Sequence, residues 1–246
     1  PIISPILGSL LLEYISWKGV FVFLALIGVI VLIFSFRLKE SLSVENRLQG
    51  SIFSTFLTFG VIIKNRLFMS YVGIQSFLLG SMFAYISASP FIFQSFYELS
   101  AFIFSLCFGA NGAALVIGAN VGGKLPNRKA LAIGVFAFVV AALYTIAVLI
   151  IQPNWLFVEI GFFAMLLLMG ITFPAISSLA MESERQYAGS ASALLGFAPF
   201  FLGGVVSPLV GIGNIFYSTA LVILACSVLA LVIYWMVRHK IPNSAE

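Results

Sequence analysis

Four polar side chains interrupt long apolar runs and could do chemistry there: Gln75, Tyr85, Asn111 and Glu159. The amides of Gln75 and Asn111 and the hydroxyl of Tyr85 are the kind of sparse polar anchor that a mostly apolar, drug-sized ligand needs. Gln75 and Asn111 can instead bond a neighbouring helix, a contact averaging about 0.6 kcal/mol in membranes, and both roles stay open. Glu159 is a candidate for binding a proton or a cation, because carboxylates at membrane depth are as a rule functional or paired. It stands about one turn inside the end of its run, so it can also reach interfacial water. Glu13, Lys18 and Glu98 fall in short connections and read as solvated charges. Enzyme chemistry is not indicated. The one histidine, His239, sits between Arg238 and Lys240 as a lipid-headgroup contact. The chain has no Asp, no metal-spaced His/Cys cluster, no phosphate loop and no nucleophile with a base, so no catalytic residue, metal or cofactor is expected.

The elements that position these groups follow from composition. Of 246 residues, 62% are hydrophobic and 8% charged, against roughly 25% charged in a soluble domain. With a mean hydropathy of +1.17, most of the chain prefers lipid or a protein interior to water. A soluble fold, a disordered chain and a disulfide scaffold are excluded, the last because Cys107 and Cys226 lie singly in apolar runs. The net charge of +4 does not point to nucleic acid, since the Lys and Arg lie in short segments between apolar stretches.

A helix crossing about 30 Å of hydrocarbon needs about 20 apolar residues. Eight runs qualify: a partial one over residues 1–13, then Gly19–Phe36, Leu67–Ser89, Ala101–Gly122, Ala130–Gln152, Trp155–Ala180, Gly189–Ile212 and Phe216–Val237. Dyad alternation is absent, which excludes barrel strands. The expectation is an all-α polytopic membrane helix bundle. Every second connection is basic, and eleven of the twelve Lys and Arg fall on one side. Basic connections stay cytoplasmic, so the carboxyl terminus is expected there.

The longest connection, residues 37–66, ends in SIFSTFLTFGVIIKNR, where Ser51, Ser54, Thr55 and Thr58 recur at i, i+3, i+4 and i+7. That stripe predicts a helix lying on the cytoplasmic surface and feeding the next span. The chain divides into residues 1–36, the 37–66 loop, six spans over 67–237 and a tail, 238–246. Because Pro1 opens an already apolar run, the chain is expected to begin inside a span.

Four motifs now carry a resemblance. PIISPILGS, with Pro1, Pro5 and Gly8, resembles the fifth-helix motif of drug-exporting antiporters, with Ser9 where a second Gly is usual. SPFIFQSFYELS (89–100), followed by Phe104 and Phe108, resembles the external turn after the seventh helix in the bicyclomycin/multidrug resistance (Bcr/CflA) subfamily of the major facilitator superfamily. GSASALLGFAPFFLGG (189–204), with Gly189 and Gly196, resembles its eleventh helix. GKLPNRKAL (123–131) resembles the G-x-L-x-D-R turn through Gly123, Leu125 and Arg128, but Asn127 replaces the acid.

The resemblance implies a major-facilitator fold, with residues 1–36 ending an amino-terminal bundle and 67–237 forming the carboxyl-terminal one. It implies export of small hydrophobic or amphipathic drug-like molecules by proton antiport, driven by the proton gradient without a cofactor. A monomer in the bacterial inner membrane is implied, with its coupling acids in an amino-terminal half. It also implies that helices seven, eight, ten and eleven face the cavity, and a Gln where Pro199 stands. A non-transporting fragment or assembly subunit, and an importer of a nutrient, are the alternatives.

Physically, Ala110, Ala114, Gly118 and Gly122 fall four apart, and Gly189, Ser192, Ala193 and Gly196 form a second small-residue run. Small residues let helix backbones approach closely in lipid, so both are expected to be packing seams. Pro174 and Pro208 are expected to permit kinks.

Overall fold

The computed structural model describes residues 8, 11, 14–37 and 58–241. Pro1, Pro5, most of the 1–13 run, most of the 37–66 loop and the last five residues lie outside them. The described residues contain no strand. Their long helices are α1 (Trp17–Ser35), α2 (Arg66–Pro90), α3 (Ala101–Gly122), α4 (Asn127–Ile151), α5 (Trp155–Ser183), α6 (Ala188–Leu209) and α7 (Ile215–Val237). All seven are long and apolar enough to cross a bilayer. Nothing in α1 is buried, whereas α2 to α7 share one core.

Helix ends are set by caps. Asn65, Asn154 and Asn214 each accept backbone N–H groups of the turn they precede, and Ser100 does so for α3. These donors have no carbonyl partner within the helix. Helices α4 and α5 run a turn beyond their apolar runs, through Asn127–Lys129 and Met181–Ser183. Hydropathy marks the lipid-facing length, but backbone hydrogen bonding continues into polar surroundings.

The segment expected as an external turn is helical through Phe96, two-thirds of its length. Past Pro90 the chain continues as a π-helical turn, Phe91–Phe96. Pro90 has no N–H for the Ile86 carbonyl, and the Ser89 hydroxyl donates to that carbonyl at 3.3 Å. Wider i→i−5 bonding follows, with Tyr97 N–H donating to Ile92 O at 3.1 Å. Tyr97 itself donates its hydroxyl to Pro153 O at 2.7 Å, tying this turn to the α4–α5 connection.

Helix α5 packs along α3 and α4, and α2 along α6 and α7. Contacts of α2 with α5 and of α4 with α7 join the two sets, while no extended packing joins α3 to α6. The α3–α5 seam bears out part of the small-residue expectation. A Cβ on Gly118 would overlap Leu167 O and reach Gly170 Cα at 3.0 Å, and one on Gly122 would meet the Ile171 backbone. Ala114 is buried with them, but Ala110, one turn earlier, is exposed. The α4–α5 seam is reciprocal, with Thr172 filling the space beside Gly134 and Thr145 that beside Gly161.

The expected seam on α6 meets no partner among the described residues. Gly189 and Gly196 are exposed, and a Cβ at either would have no neighbour within 4 Å. The helix instead buries Ala191, Leu195, Pro199, Gly203 and Val206. Those positions lie about 100° round the helix from the glycine stripe, and Phe83 of α2 occupies the space at Gly203.

At the opposite end from the π turn, Asn65 does two jobs. Its Oδ1 caps α2, and its Nδ2 donates to Glu184 Oε1 at 2.6 Å, fastening α2 to the end of α5. Asn65→Ala is expected to cost about 0.5–2 kcal/mol, the range for a lost cap, read as a lower thermal midpoint in detergent. An unchanged midpoint would assign the anchoring to α2 packing alone.

Candidate functional site

Three of the four polar candidates meet. Tyr85 comes from α2, Asn111 from α3 and Glu159 from α5. Asn111 is the centre: its Nδ2 donates to Tyr85 Oη at 2.9 Å and to Glu159 Oε2 at 3.2 Å. Tyr85 and Asn111 are completely buried, and Glu159 is half-buried. Helices α3 and α5 run parallel, which sets Glu159, one turn into α5, beside Asn111, the eleventh of the 22 residues of α3. The carboxylate therefore turns inward, to the middle of α3, about 15 Å from that helix's first residue.

Two acceptors at this centre lack a donor among the described residues: Asn111 Oδ1 and Glu159 Oε1. No cation pairs with Glu159 there, since the ion pair among the described residues is Arg185–Glu182. Buried polar groups are almost always satisfied, so two orphan acceptors side by side mark a place for a donor.

A closed circuit of aromatic contacts surrounds the centre. Tyr85 stacks on Phe108 at 5.7 Å and tilts against Phe162 at 4.7 Å between ring centroids. Phe162 touches Phe93, Phe93 touches Phe104, and Phe104 returns to Phe108, at 6.0–6.3 Å. Phe93, Phe104 and Phe108 lie within or just after the external-turn motif. Phe162 does not, and in a chain with 26 Phe no spacing singles it out. A cavity of about 130 Å³ opens beside Tyr85, Phe108 and Asn111, with Met82, Ile86 and Leu166 as its apolar wall. Drug-sized pockets begin near 300 Å³, so these helices hold a foothold for such a molecule and not a full pocket. The larger hollow, about 640 Å³, lies at the π-turn end between Phe91, Phe96, Gln152 and Phe216, away from the polar centre.

Among known proteins, residues 1–208 match the family model of the Major Facilitator Superfamily. The chain belongs to that superfamily. It is 37% identical, over 87% of its length, to an uncharacterized MFS-type transporter, YdgK, of Bacillus subtilis, and covers 55% of that protein. It is 25% identical, over 98% of its length, to a bicyclomycin resistance protein homolog of Haemophilus influenzae, covering 62% of it. An uncharacterized transporter of Rickettsia felis matches over about half of the chain at 31% identity. The chain thus spans a little over half the length of the first two relatives.

The remaining candidate residues of this Major Facilitator chain lie apart from the centre. Gln75 stands ten residues from Tyr85 on α2, about 15 Å along the axis and about 80° round it. Its Oε1 is buried without a donor among the described residues, as is Tyr71 Oη one turn below. Gly123 ends α3 and is exposed, Leu125 packs on the core, and Arg128 is half-buried at the start of α4. Asn127, where the motif carries an acid, donates to Ser178 Oγ at 2.9 Å and so links α4 to α5 without charge. A Cβ on Gly8 would meet none of the described residues within 4 Å, and Gly189 and Gly196 face outward.

Proposed function

We propose that the protein of which this chain forms all or part is a secondary active transporter that exports drug-like small molecules by proton antiport with alternating access. On this reading it sits as a monomer in the bacterial inner membrane, its basic end and carboxyl terminus in the cytoplasm. One observation carries the proposal: the two donor-free acceptors, Asn111 Oδ1 and Glu159 Oε1, at a polar centre whose Asn111 and Tyr85 line a small apolar cavity. A proton on Glu159 satisfies them from within, because the protonated carboxyl becomes a donor. An N–H or O–H of a cargo molecule satisfies them from outside. Proton and cargo then compete for one place, which is the exchange an antiporter requires. The bicyclomycin resistance named for the Haemophilus relative supports an antibiotic-like cargo.

The full-length parent, expressed in an efflux-deficient bacterium, is expected to raise tolerance to at least one lipophilic antibiotic. Glu159→Gln keeps an acceptor for Asn111 but cannot bind and release a proton. It is expected to cut export by about tenfold or more, as loss of a charged hydrogen-bonding group does, and to flatten its dependence on the pH gradient. Unchanged export by the variant would reduce Glu159 to a structural residue. A parent that changes tolerance to no compound would remove the export reading altogether.

A further inference from the structure

A second feature lies at the opposite, basic end of the bundle, on the outer side of α2 and α7. A groove of about 470 Å³ runs between them, with Arg66 and Lys240 at its mouth. Below these cations it is lined by the Ser70 hydroxyl and by Met69, Ile233 and Met236. Since α2 starts at Arg66 and α7 ends at Val237, the charge sits at the helix ends and the apolar wall deeper. A wholly apolar groove of about 370 Å³, between Phe136, Leu231 and Trp235, shares Met236 with the first. The Arg238 guanidinium lies 3.4 Å over the Trp235 ring at its edge.

No acid lines either groove. The described acids at this end are already engaged, Glu184 with Asn65 and Glu182 with Arg185. Arg66 and Lys240 form no ion pair among the described residues, and a cationic mouth over lipid-facing apolar channels needs a counter-ion that carries hydrocarbon. We infer that these grooves bind an anionic phospholipid, its phosphate between Arg66 and Lys240 and its two acyl chains along the channels that meet at Met236. Basic pockets between membrane helices recognise lipid headgroups in this way, each nearby cation favouring an anionic lipid by about fivefold.

Native mass spectrometry of the purified protein in detergent, titrated with phosphatidylglycerol or phosphatidylcholine, tests this. Phosphatidylglycerol is expected to bind about thirtyfold more tightly, two cations at about fivefold each. Arg66→Gln with Lys240→Gln is expected to erase that preference, while Lys124→Gln, on the α3–α4 turn, leaves it intact. Should the double variant fail to fold, Met236→Asp decides the matter. Met236 is 73% exposed, so the change spares the core while placing a like charge where both channels meet, and phosphatidylglycerol binding is expected to be lost. Equal binding of the two lipids, or a preference that survives the cation or Met236 variants, overturns the inference. So does displacement of phosphatidylglycerol by millimolar inorganic phosphate, which would make this a free-anion site.

Discussion

Gly118→Ala is expected to lower the thermal midpoint of the detergent-solubilised protein by about 4–8 °C, against the ordinary trend for this substitution. In an exposed helix interior, alanine gains about 1 kcal/mol over glycine. Here the new methyl overlaps the Leu167 carbonyl oxygen and approaches Gly170 Cα, so α3 and α5 must separate along their closest stretch. Overpacking against side chains costs about 1–3 kcal/mol, and a backbone has no rotamer with which to step aside. The clash therefore outweighs the propensity gain, leaving a net loss of about 2 kcal/mol or more, and about 2–4 °C accompanies each kcal/mol at this chain length. Gly80→Ala is the matched control, since its methyl would meet only the Cys226 Sγ at 3.2 Å and other movable side-chain atoms. A Gly118→Ala midpoint at or above the parent's would refute the seam.

Asn111→Leu carries the largest expected effect on the site. Leucine keeps the volume but strips Tyr85 Oη and Glu159 Oε2 of their shared donor. Each buried group left unsatisfied costs about 1–3 kcal/mol in water-soluble proteins. Measured couplings within membranes are smaller, averaging about 0.6 kcal/mol, so a total near 2 kcal/mol is the reasonable expectation. Export by the full-length parent should fall by about tenfold or more, because the cargo acceptor Asn111 Oδ1 is gone and Glu159 is no longer held. Adding Tyr85→Phe removes the stranded hydroxyl and is expected to restore part of the stability without restoring export. Recovery of both together would mean that the three residues only hold helices to one another.

The helices of this protein were legible because lipid imposes a coarse rule: about 20 apolar residues or no crossing. The Ala101–Gly122 run and the α3 helix coincide, and the other described spans differ from their runs by at most three residues at either end. The π turn after Pro90 escaped that rule, because hydropathy does not register which carbonyl a proline leaves without its donor. Tyr85, Asn111 and Glu159 were legible one at a time, as polar groups out of place in apolar runs. Their meeting was not. It depends on α3 and α5 lying parallel, with the first turn of α5 beside the middle of α3, and on α2 presenting Tyr85 to both, relations between segments 26 and 48 residues apart.

The two small-residue stripes draw the same line. Gly118 with Gly122 and Gly189 with Gly196 each fall on one face of a helix, yet the first pair lies against the α5 backbone and the second faces outward. Sequence by itself determined how many described segments cross the membrane, which connections carry the charge and which residues are polar at depth, because each follows from the transfer cost of individual side chains. Tertiary structure alone decided which glycines became contacts and which polar groups became one site, because a helix face acquires meaning only from the helix laid against it.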